Sequence, residues 1–364
     1  MSDDRDQSGA GGDRDQSGAS DDRDRPEDTM RERASTSGAW FDLLVEANRL
    51  VLVGVLFVAI AAAVLALGTL LPSADALFGS GDPIETAFQA FIGATITGVT
   101  LVVTLNQLVL SQEFGAVGDQ RERMDAAVQF REDVESTLDA PISPPEPAAF
   151  LRALVDVAGE RADTLRERVA DDDALDDSVR DRVTTLAADI SANADAVGDS
   201  LDGAQFGTFE VLSASLDFNY SWKLYSARRV QAEDGEQLTS EQSEAVTELI
   251  DVLELFGPAR EHFKTLYFQW ELTALSRIIL AASLPSLVAS VSMVLFFDPA
   301  TIGWSIAGVP GSLWFVAGAV AVAMVPFLVL VSYVVRIAVV TQRTLSIGPF
   351  TLRETDREES IEWE

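Results

Sequence analysis

The chain contains no cysteine, one histidine and only two lysines among its 26 basic residues. Without cysteine it can form no disulfide and offers no thiolate as a nucleophile or metal ligand. The lone His262 has no second histidine with which to build a metal site, and no phosphate-binding or protease motif stands in a fitting context. We therefore predict no catalytic residues, no metal site and no cofactor, and a protein that is not an enzyme.

Positive charge is also scarce. The formal net charge is −32, with 58 acidic residues against 26 basic ones. No basic patch is present to neutralise phosphates, which argues against a nucleic-acid partner. Acidic excess with arginine in place of lysine is typical of a cytoplasm at molar salt, where a Debye length of about 3 Å screens self-repulsion. The composition therefore predicts a halophilic, archaeal protein.

Long apolar runs, in contrast, are abundant. Four segments contain no Asp, Glu, Lys or Arg, and they cover residues 50–71, 87–110, 278–297 and 312–335. At about 1.5 Å per residue, each can cross the roughly 30 Å hydrocarbon core as a helix. The sequence therefore predicts an all-α, multi-pass protein of the cell membrane, embedded in the lipid bilayer, with four transmembrane helices in two pairs.

The basic residues that flank these segments predict the topology. The two short connections, 72–86 and 298–311, contain no Arg or Lys. The other flanks carry Arg31, Arg33, Arg49, Arg121, Arg123, Arg260, Lys264, Arg277, Arg336, Arg343 and Arg353. Because positive residues favour the cytoplasmic side, both termini and the region between the second and third spans are predicted to be cytoplasmic.

Composition divides the chain into five parts. Residues 1–37 repeat the phrase DRDQSGA at 4–10 and 13–19 and are predicted to be a disordered acidic tail. The span pairs occupy residues 38–111 and 273–343, a cytoplasmic helical domain occupies residues 112–272, and a cytoplasmic tail occupies residues 344–364. The first helix of the domain, residues 113–138, is expected to continue directly from the second span.

Two features of the helical domain bear on function. Leu154 and Val183 lie in narrow apolar stripes with alternating spacings of three and four residues, which predict coiled-coil-like seams between helices. The helices that carry them, residues 147–169 and 174–201, are predicted to form an antiparallel hairpin within a helical bundle. If such seams join copies of the chain, aspartate at both positions should lower the mass of the oligomer. A later segment begins at the capping pair Thr239 and Gln242, bends at Gly257-Pro258 and enters the third span, so one element is shared by the domain and the bilayer.

Polar residues inside the spans form two stripes. Those of the second span are spaced by four, three, four, three and four residues, which places them on one helix face. The stripes consist of Gly93, Thr97, Thr100, Thr104, Gln107 and Ser111 in the second span and Ser283, Ser286 and Ser290 in the third. Such residues either let membrane helices pack closely or line a hydrated path, and both interpretations remain open.

Two phrases resemble those of uncharacterised haloarchaeal membrane proteins with four spans. They are LNQLVLSQE at residues 105–113 and LFGPAREHFK at residues 255–264. The resemblance implies no activity. In topology the chain is also similar to bestrophin-type anion channels and bestrophin-like bacterial proteins, which place a helical cytoplasmic part between two pairs of spans. It departs from the channel pattern because its second span is rich in threonine and lacks regularly spaced bulky apolar residues.

Two functional hypotheses follow. In the first, the chain is a non-enzymatic oligomeric scaffold or signal relay whose cytoplasmic helical domain mediates self-association or contacts a cytoplasmic protein partner. In the second, it is an oligomeric ion channel whose path is lined by the polar face of the second span. Both predict a homo-oligomer, and neither identifies a ligand or an ion.

Overall fold

The computed structural model describes residues 49–70, 82–113, 115–170, 172, 174–205, 207 and 209–344. The two predicted tails, residues 1–37 and 344–364, lie outside the described residues apart from Thr344. Over the described parts the fold is all-α, as predicted, except for one short hairpin. The elements are α1 Arg49–Leu70, α2 Asp82–Glu113, α3 Val117–Thr137, α4 Pro147–Ala170, α5 Asp177–Leu201, α6 Phe209–Leu216, α7 Tyr220–Glu233, α8 Ser240–Phe296, a 3₁₀ turn Pro299–Thr301, β1 Ser305–Ile306, β2 Val309–Pro310 and α9 Gly311–Thr344.

Four of these helices are long and apolar enough to cross a membrane, which confirms the prediction of four candidate spans. They are α1, α2, α8 and α9, and in α8 the apolar part is the C-terminal one. We call these four the span cluster. Within it, α9 packs against α1, α8 and α2, and α8 also packs against α2. Buried apolar residues of the cluster, such as Val102, Ile279 and Val329, form its core.

A tight turn joins the third and fourth spans. Residues 305–310 form a two-stranded antiparallel hairpin in which Ser305 pairs with Pro310. The two central residues, Ala307 and Gly308, have φ values of 54° and 80°. Positive φ at both positions is the geometry of a type I′ turn, which matches the twist of two-stranded hairpins. The short connection lets α9 return directly alongside α8.

A second core belongs to α4, α5, α6, α7 and the N-terminal part of α8, with the end of α3 packed against it. We call this part the helical domain. Helices α4 and α5 are antiparallel, since Arg152 pairs with Asp202 at one end and Gly159 faces Ala194 further along. A Cβ placed on Gly159 would lie 3.1 Å from the Cβ of Ala194. Small residues therefore let the two helices approach closely.

The predicted apolar seams are internal to one chain. Leu154 and Val183 both have no exposed surface and lie in the core of the helical domain. An aspartate at either position would place a carboxylate in that core, which costs several kcal/mol. The double substitution would therefore unfold the domain, and a change in oligomer mass would not report on self-association. The predicted antiparallel hairpin is confirmed, and because its seam is closed within one chain, it does not join copies of the chain.

The predicted continuation of the second span into the helical domain is wrong. Helix α2 ends at Glu113, and α3 starts at Val117. Ala116 caps α3 with extended backbone angles, φ −61° and ψ 155°. Gly115 precedes it, and glycine weakens a helix because it loses the most conformational freedom on ordering. The second span and α3 are therefore two separate helices.

Helix α8 is the longest element, with 57 residues from Ser240 to Phe296. It runs without interruption through Pro258 and Pro285, so the expected bend at Gly257-Pro258 does not end the helix. Gly257 has a different role. A Cβ there would lie 2.7 Å from Cε2 of Tyr220, so the missing side chain admits the tyrosine ring against the helix. A single helix thus belongs to both the helical domain and the span cluster.

The first turn of α8 is fixed by the predicted capping box. The Thr239 hydroxyl accepts from the backbone N–H of Gln242 at 3.3 Å, and Gln242 Oε1 accepts from the backbone N–H of Thr239 at 2.9 Å. Thr239→Ala should lower the free energy of unfolding by about 1 kcal/mol, because an N–H of the first turn loses its acceptor. Denaturant titration of the full chain measures this. Thr239→Ser keeps the hydroxyl and should remain within error of the original protein; an equal loss in both variants would contradict the capping role.

Asp156 in α4 should make the stability of the helical domain depend on pH. Partial burial raises the pKa of its carboxyl, Arg152 opposes the rise, and Asp195 and Asp199 add to it. A carboxyl with a raised pKa in the folded protein contributes stability below its unfolded pKa and loses it as pH rises through the folded pKa. Asp156→Asn should therefore raise the unfolding midpoint at pH 7, and the gain should shrink toward pH 4. Unfolding curves of both proteins at the two pH values test this. A gain at pH 4 as large as that at pH 7 would contradict it.

Candidate functional site at the junction of the two cores

Charged and aromatic side chains meet where the helical domain joins the span cluster. Arg49 at the start of α1 forms an ion pair with Glu271 of α8 and donates to the hydroxyl of Tyr267 at 3.2 Å. Its guanidinium lies 4.0 Å from the ring centroid of Tyr333 in α9. Arg336, one turn further along α9, lies over the ring of Phe209 in α6. We call these residues and the contacts among them the junction cluster.

The junction cluster is largely shielded from solvent. Glu271 and Arg336 each retain 8% exposure, and Tyr267 and Tyr333 retain 3% and 4%. Charges removed from water are tolerated only when they are paired and hydrogen bonded. Arg49 meets this requirement through a carboxylate, a hydroxyl and an aromatic face. The cluster ties α1, α8 and α9 together and places the first residue of α6 against them.

A cavity of about 930 Å³ adjoins the junction cluster. Helices α1, α8 and α9 form one wall and α6 with the end of α5 forms the other. Its lining is mixed. The wall from the apolar helices includes Val53, Ile278 and Val329, while the α6 side includes Glu210 and, just beyond the helix, Asp217.

All the residues of the predicted stripe in the second span are exposed on the outside of the chain. The hydroxyls of Thr97, Thr100 and Thr104 donate to carbonyl oxygens one turn earlier in α2, at 2.9, 2.9 and 2.8 Å. The Ser111 hydroxyl also donates within α2. A Cβ on Gly93 would meet nothing within 4 Å. Among the described residues, the stripe, which Gln107 completes, thus packs against no other helix.

The stripe of the third span is placed differently. Ser283, Ser286 and Ser290 are all buried, with 5%, 0% and 0% exposure. The Ser286 hydroxyl donates to the carbonyl oxygen of Ala323 in α9 at 2.8 Å, and its oxygen lies 3.5 Å from the hydroxyl oxygen of Thr95 in α2. These serines therefore lie inside the span cluster, between helices, which is the packing interpretation of the stripe.

Sequence reasoning did not identify the junction cluster. Arg49 and Arg336 served only as topology signals, and Glu271 was not singled out. The sequence did contain a signal: Glu271 lies just before the third apolar segment, and Arg49 and Arg336 lie at the ends of the first and fourth segments that are predicted to be on the same side of the membrane. Spacing could not reveal that they meet, because Arg49 and Glu271 are 222 residues apart in the chain.

Nothing in this arrangement indicates a reaction. Among the described residues, no group of three or more His, Cys, Asp or Glu side chains is placed to hold a metal ion. His262 is exposed and lies beside the ring of Phe263. The junction cluster can hold helices in a fixed relation, and the cavity beside it can hold a ligand.

Comparisons with known proteins give a family and no activity. Neither the curated proteins nor the solved structures contain a match to this chain. A family model described as "Family of unknown function (DUF7972)" matches residues 15–364. The predicted resemblance to an uncharacterised family is thereby confirmed, and the chain belongs to the DUF7972 family.

Proposed function

We propose that this chain is a non-enzymatic membrane protein that relays conformational change between its helical domain and its four spans. In this proposal it lies in the cell membrane with the spans in two pairs, and the helical domain and both termini are cytoplasmic. The distribution of Arg and Lys on the flanks supports that orientation, because the connections 72–86 and 298–311 contain none.

The main observation in support of a relay is that α8 is one continuous helix. Its N-terminal part contributes Leu249, Leu253 and Phe256 to the core of the helical domain, and its C-terminal part contributes Ile279 and Met293 to the cores of the span cluster. Because α8 is continuous through Pro258 and Pro285, a displacement of its N-terminal part can pass to its C-terminal part along one element. A relay also requires an element with two arrangements. The junction cluster is our candidate, since its contacts hold α8 against α1 and α9.

Hydrogen exchange of the purified full chain tests the relay. Glu271→Gln breaks the ion pair at the junction cluster, and the measurement follows amide protection far from it, in α7 and in residues 240–256 of α8. Only amides that exchange by local opening are compared, because the lower global stability of this variant accelerates those that exchange by complete unfolding. We expect faster exchange of these amides in both segments. Ser290→Ala, a change inside the span cluster, is the matched control and should leave those amides unchanged. If Glu271→Gln alters exchange only in α1, α9 and the adjoining part of α8, the relay is wrong.

A second candidate, an oligomeric ion channel, is favoured by the outward position of the α2 stripe. No other part of the described chain packs on this polar face, so it is open to further copies of the chain, and a ring of copies would place it on a central path. This arrangement also supplies the homo-oligomer that the sequence predicts. A scaffold needs the same self-association but no conduction.

Ion flux into liposomes that hold purified protein separates the two candidates. Thr100→Val with Thr104→Val removes two hydroxyls from the stripe and should change flux while leaving the oligomer mass intact. Thr273→Val is the matched control, because Thr273 in α8 is likewise exposed and donates to its own helix at 2.9 Å. If vesicles that contain the original protein show no more flux than empty vesicles, the channel hypothesis is rejected and the relay hypothesis is retained.

A further inference from the structure

We infer that a second cavity, between α8 and α9 at the end of the span cluster far from the helical domain, binds a hydrophobic organic cation. The ligand class is an ammonium group joined to a hydrocarbon arm. The cavity has a volume of about 520 Å³ and is lined by the end of α8, the 3₁₀ turn and the start of α9. The inference goes beyond the proposed function and does not depend on the relay.

Small residues create the space in this cavity. Ala289 of α8 lines it, as do Gly318 and Ala319 of α9. A Cβ placed on Gly318 would meet nothing within 4 Å, so the space beside this glycine is open. Met293 also lines the cavity, and it packs with Phe88 of α2 in a buried apolar cluster. A packed apolar wall therefore bounds a space that the small residues of α8 and α9 do not fill.

Aromatic side chains supply the part of the lining that attracts a cation. The rings of Phe297 and Phe315 stack with their centroids 5.8 Å apart, and both line the cavity together with Phe296 and Trp314. The face of an aromatic ring attracts an ammonium group within about 6 Å of the ring centroid. Trp314 and Phe315 are 38% and 53% exposed, so a ligand can reach both rings from outside. An aliphatic lining would suit any hydrocarbon, whereas four aromatic rings favour one that carries a positive charge.

The charge around the cavity has one sign. Among the described residues that line it, Asp298 is the charged one, and its Oδ1 accepts from the backbone N–H of Ala300 at 2.9 Å. A carboxylate has further lone pairs with which to meet a ligand. Glu85, near the start of α2, adds negative charge at the same end, and the connections 72–86 and 298–311 contain no Arg or Lys. A cation thus meets a carboxylate without a competing positive side chain, whereas the phosphate of a phospholipid would meet a like charge.

The size of the cavity agrees with this ligand. Sites for small molecules commonly enclose about 300 to 1,000 Å³. The volume of about 520 Å³ holds an ammonium group and a short hydrocarbon arm. A bare metal cation would leave the aromatic walls in contact with water, and a hydrocarbon arm covers them. The volume and the lining therefore favour an organic cation over an inorganic one.

Isothermal titration calorimetry of the purified full chain in a non-ionic detergent tests the inference. The four probes separate charge from hydrocarbon: hexyltrimethylammonium, tetramethylammonium, hexanol and hexanoate. We expect hexyltrimethylammonium to bind most tightly. Tetramethylammonium and hexanol should each bind at least about tenfold more weakly, because each lacks one of the two parts that the cavity recognises. Hexanoate should not bind, since its carboxylate meets that of Asp298.

Two variants locate the site, and each has a matched control. Gly318→Leu fills the cavity without a change of charge and should weaken hexyltrimethylammonium binding at least about tenfold. Gly54→Leu in α1 is its control, since a Cβ there also meets nothing within 4 Å. Asp298→Asn keeps the acceptor for Ala300 but removes the charge, and should weaken binding about threefold, as expected for an exposed charge pair. Asp119→Asn removes an exposed carboxylate of α3 and should change nothing.

The outcomes are decisive in both directions. Unchanged affinity in Gly318→Leu or in Asp298→Asn overturns the inference. Equal affinities for hexanol and hexyltrimethylammonium also overturn it, since the cavity then accepts any hydrocarbon arm, such as that of a lipid. If Gly318→Leu does not fold, Asp298→Asn and the four probes on the original protein decide. The hydrogen-exchange and flux experiments do not involve this cavity, so its failure and that of the proposed function are distinguishable.

Discussion

Replacing Glu271 by glutamine is expected to lower the free energy of unfolding by about 3 to 5 kcal/mol, because it leaves the charge of Arg49 without its carboxylate in a buried site. The side chains of the two residues are only 15% and 9% exposed, so water in the adjoining cavity can replace the lost carboxylate only in part. Denaturant titration of the full chain in detergent micelles measures the change.

A matched control distinguishes burial from the mere loss of an ion pair. Glu254→Gln breaks the pair with Arg228, whose side chains are 44% and 55% exposed, and should cost less than about 1 kcal/mol. Combining Arg49→Gln with Glu271→Gln removes both charges and should recover part of the stability lost in the single variant. Equal losses in Glu271→Gln and Glu254→Gln would mean that the junction pair is solvated.

Truncating Phe256 to alanine is expected to cost about 3 to 5 kcal/mol, since the substitution removes a fully buried ring and leaves a cavity. The ring has no exposed surface and contacts Phe218 and Tyr220, with centroid distances of 4.9 and 5.9 Å. These contacts join α7 and the segment before it to α8. Loss of the ring should therefore loosen the helical domain at the helix that continues into the span cluster.

Met124→Ala is the control for Phe256→Ala. Met124 in α3 is 69% exposed, so the same type of truncation should change the free energy of unfolding by no more than about 0.5 kcal/mol. The midpoint of chemical unfolding, followed by tryptophan fluorescence, reports both variants. A small effect of Phe256→Ala would show that the aromatic contacts between α7 and α8 contribute little to the domain.

Much of the fold could be predicted because its signals are local. Spans, helix starts and apolar stripes depend on neighbours within four residues, which is why the four apolar helices and the capping box at Thr239 were predicted correctly. The break at Gly115 and Ala116 was missed, because the residues before it and after it both favour helix, and a short interruption does not alter the pattern. The halophilic and archaeal origin and the topological likeness to bestrophin-type proteins stay predictions.

The candidate site could be predicted only in part. The sequence identified the serine and threonine stripes but could not say which faced inward. The structure buries Ser286 against Ala323 and leaves Thr100 exposed, although both lie in apolar helices at similar spacings. That difference depends on which helices are neighbours. The spacing of residues along one helix contains no information about where the other helices lie.

By itself, the sequence determined the helical class, the four apolar segments, the acidic composition and the absence of thiol chemistry, because each follows from residue type and short-range spacing. Only the tertiary structure decided that the α2 stripe faces outward while the serines of α8 are buried, and that Arg49 pairs with Glu271 beside a cavity. The physical reason is that buried charges and apolar faces are satisfied by partners far along the chain. Which partners come together is fixed only when the helices pack.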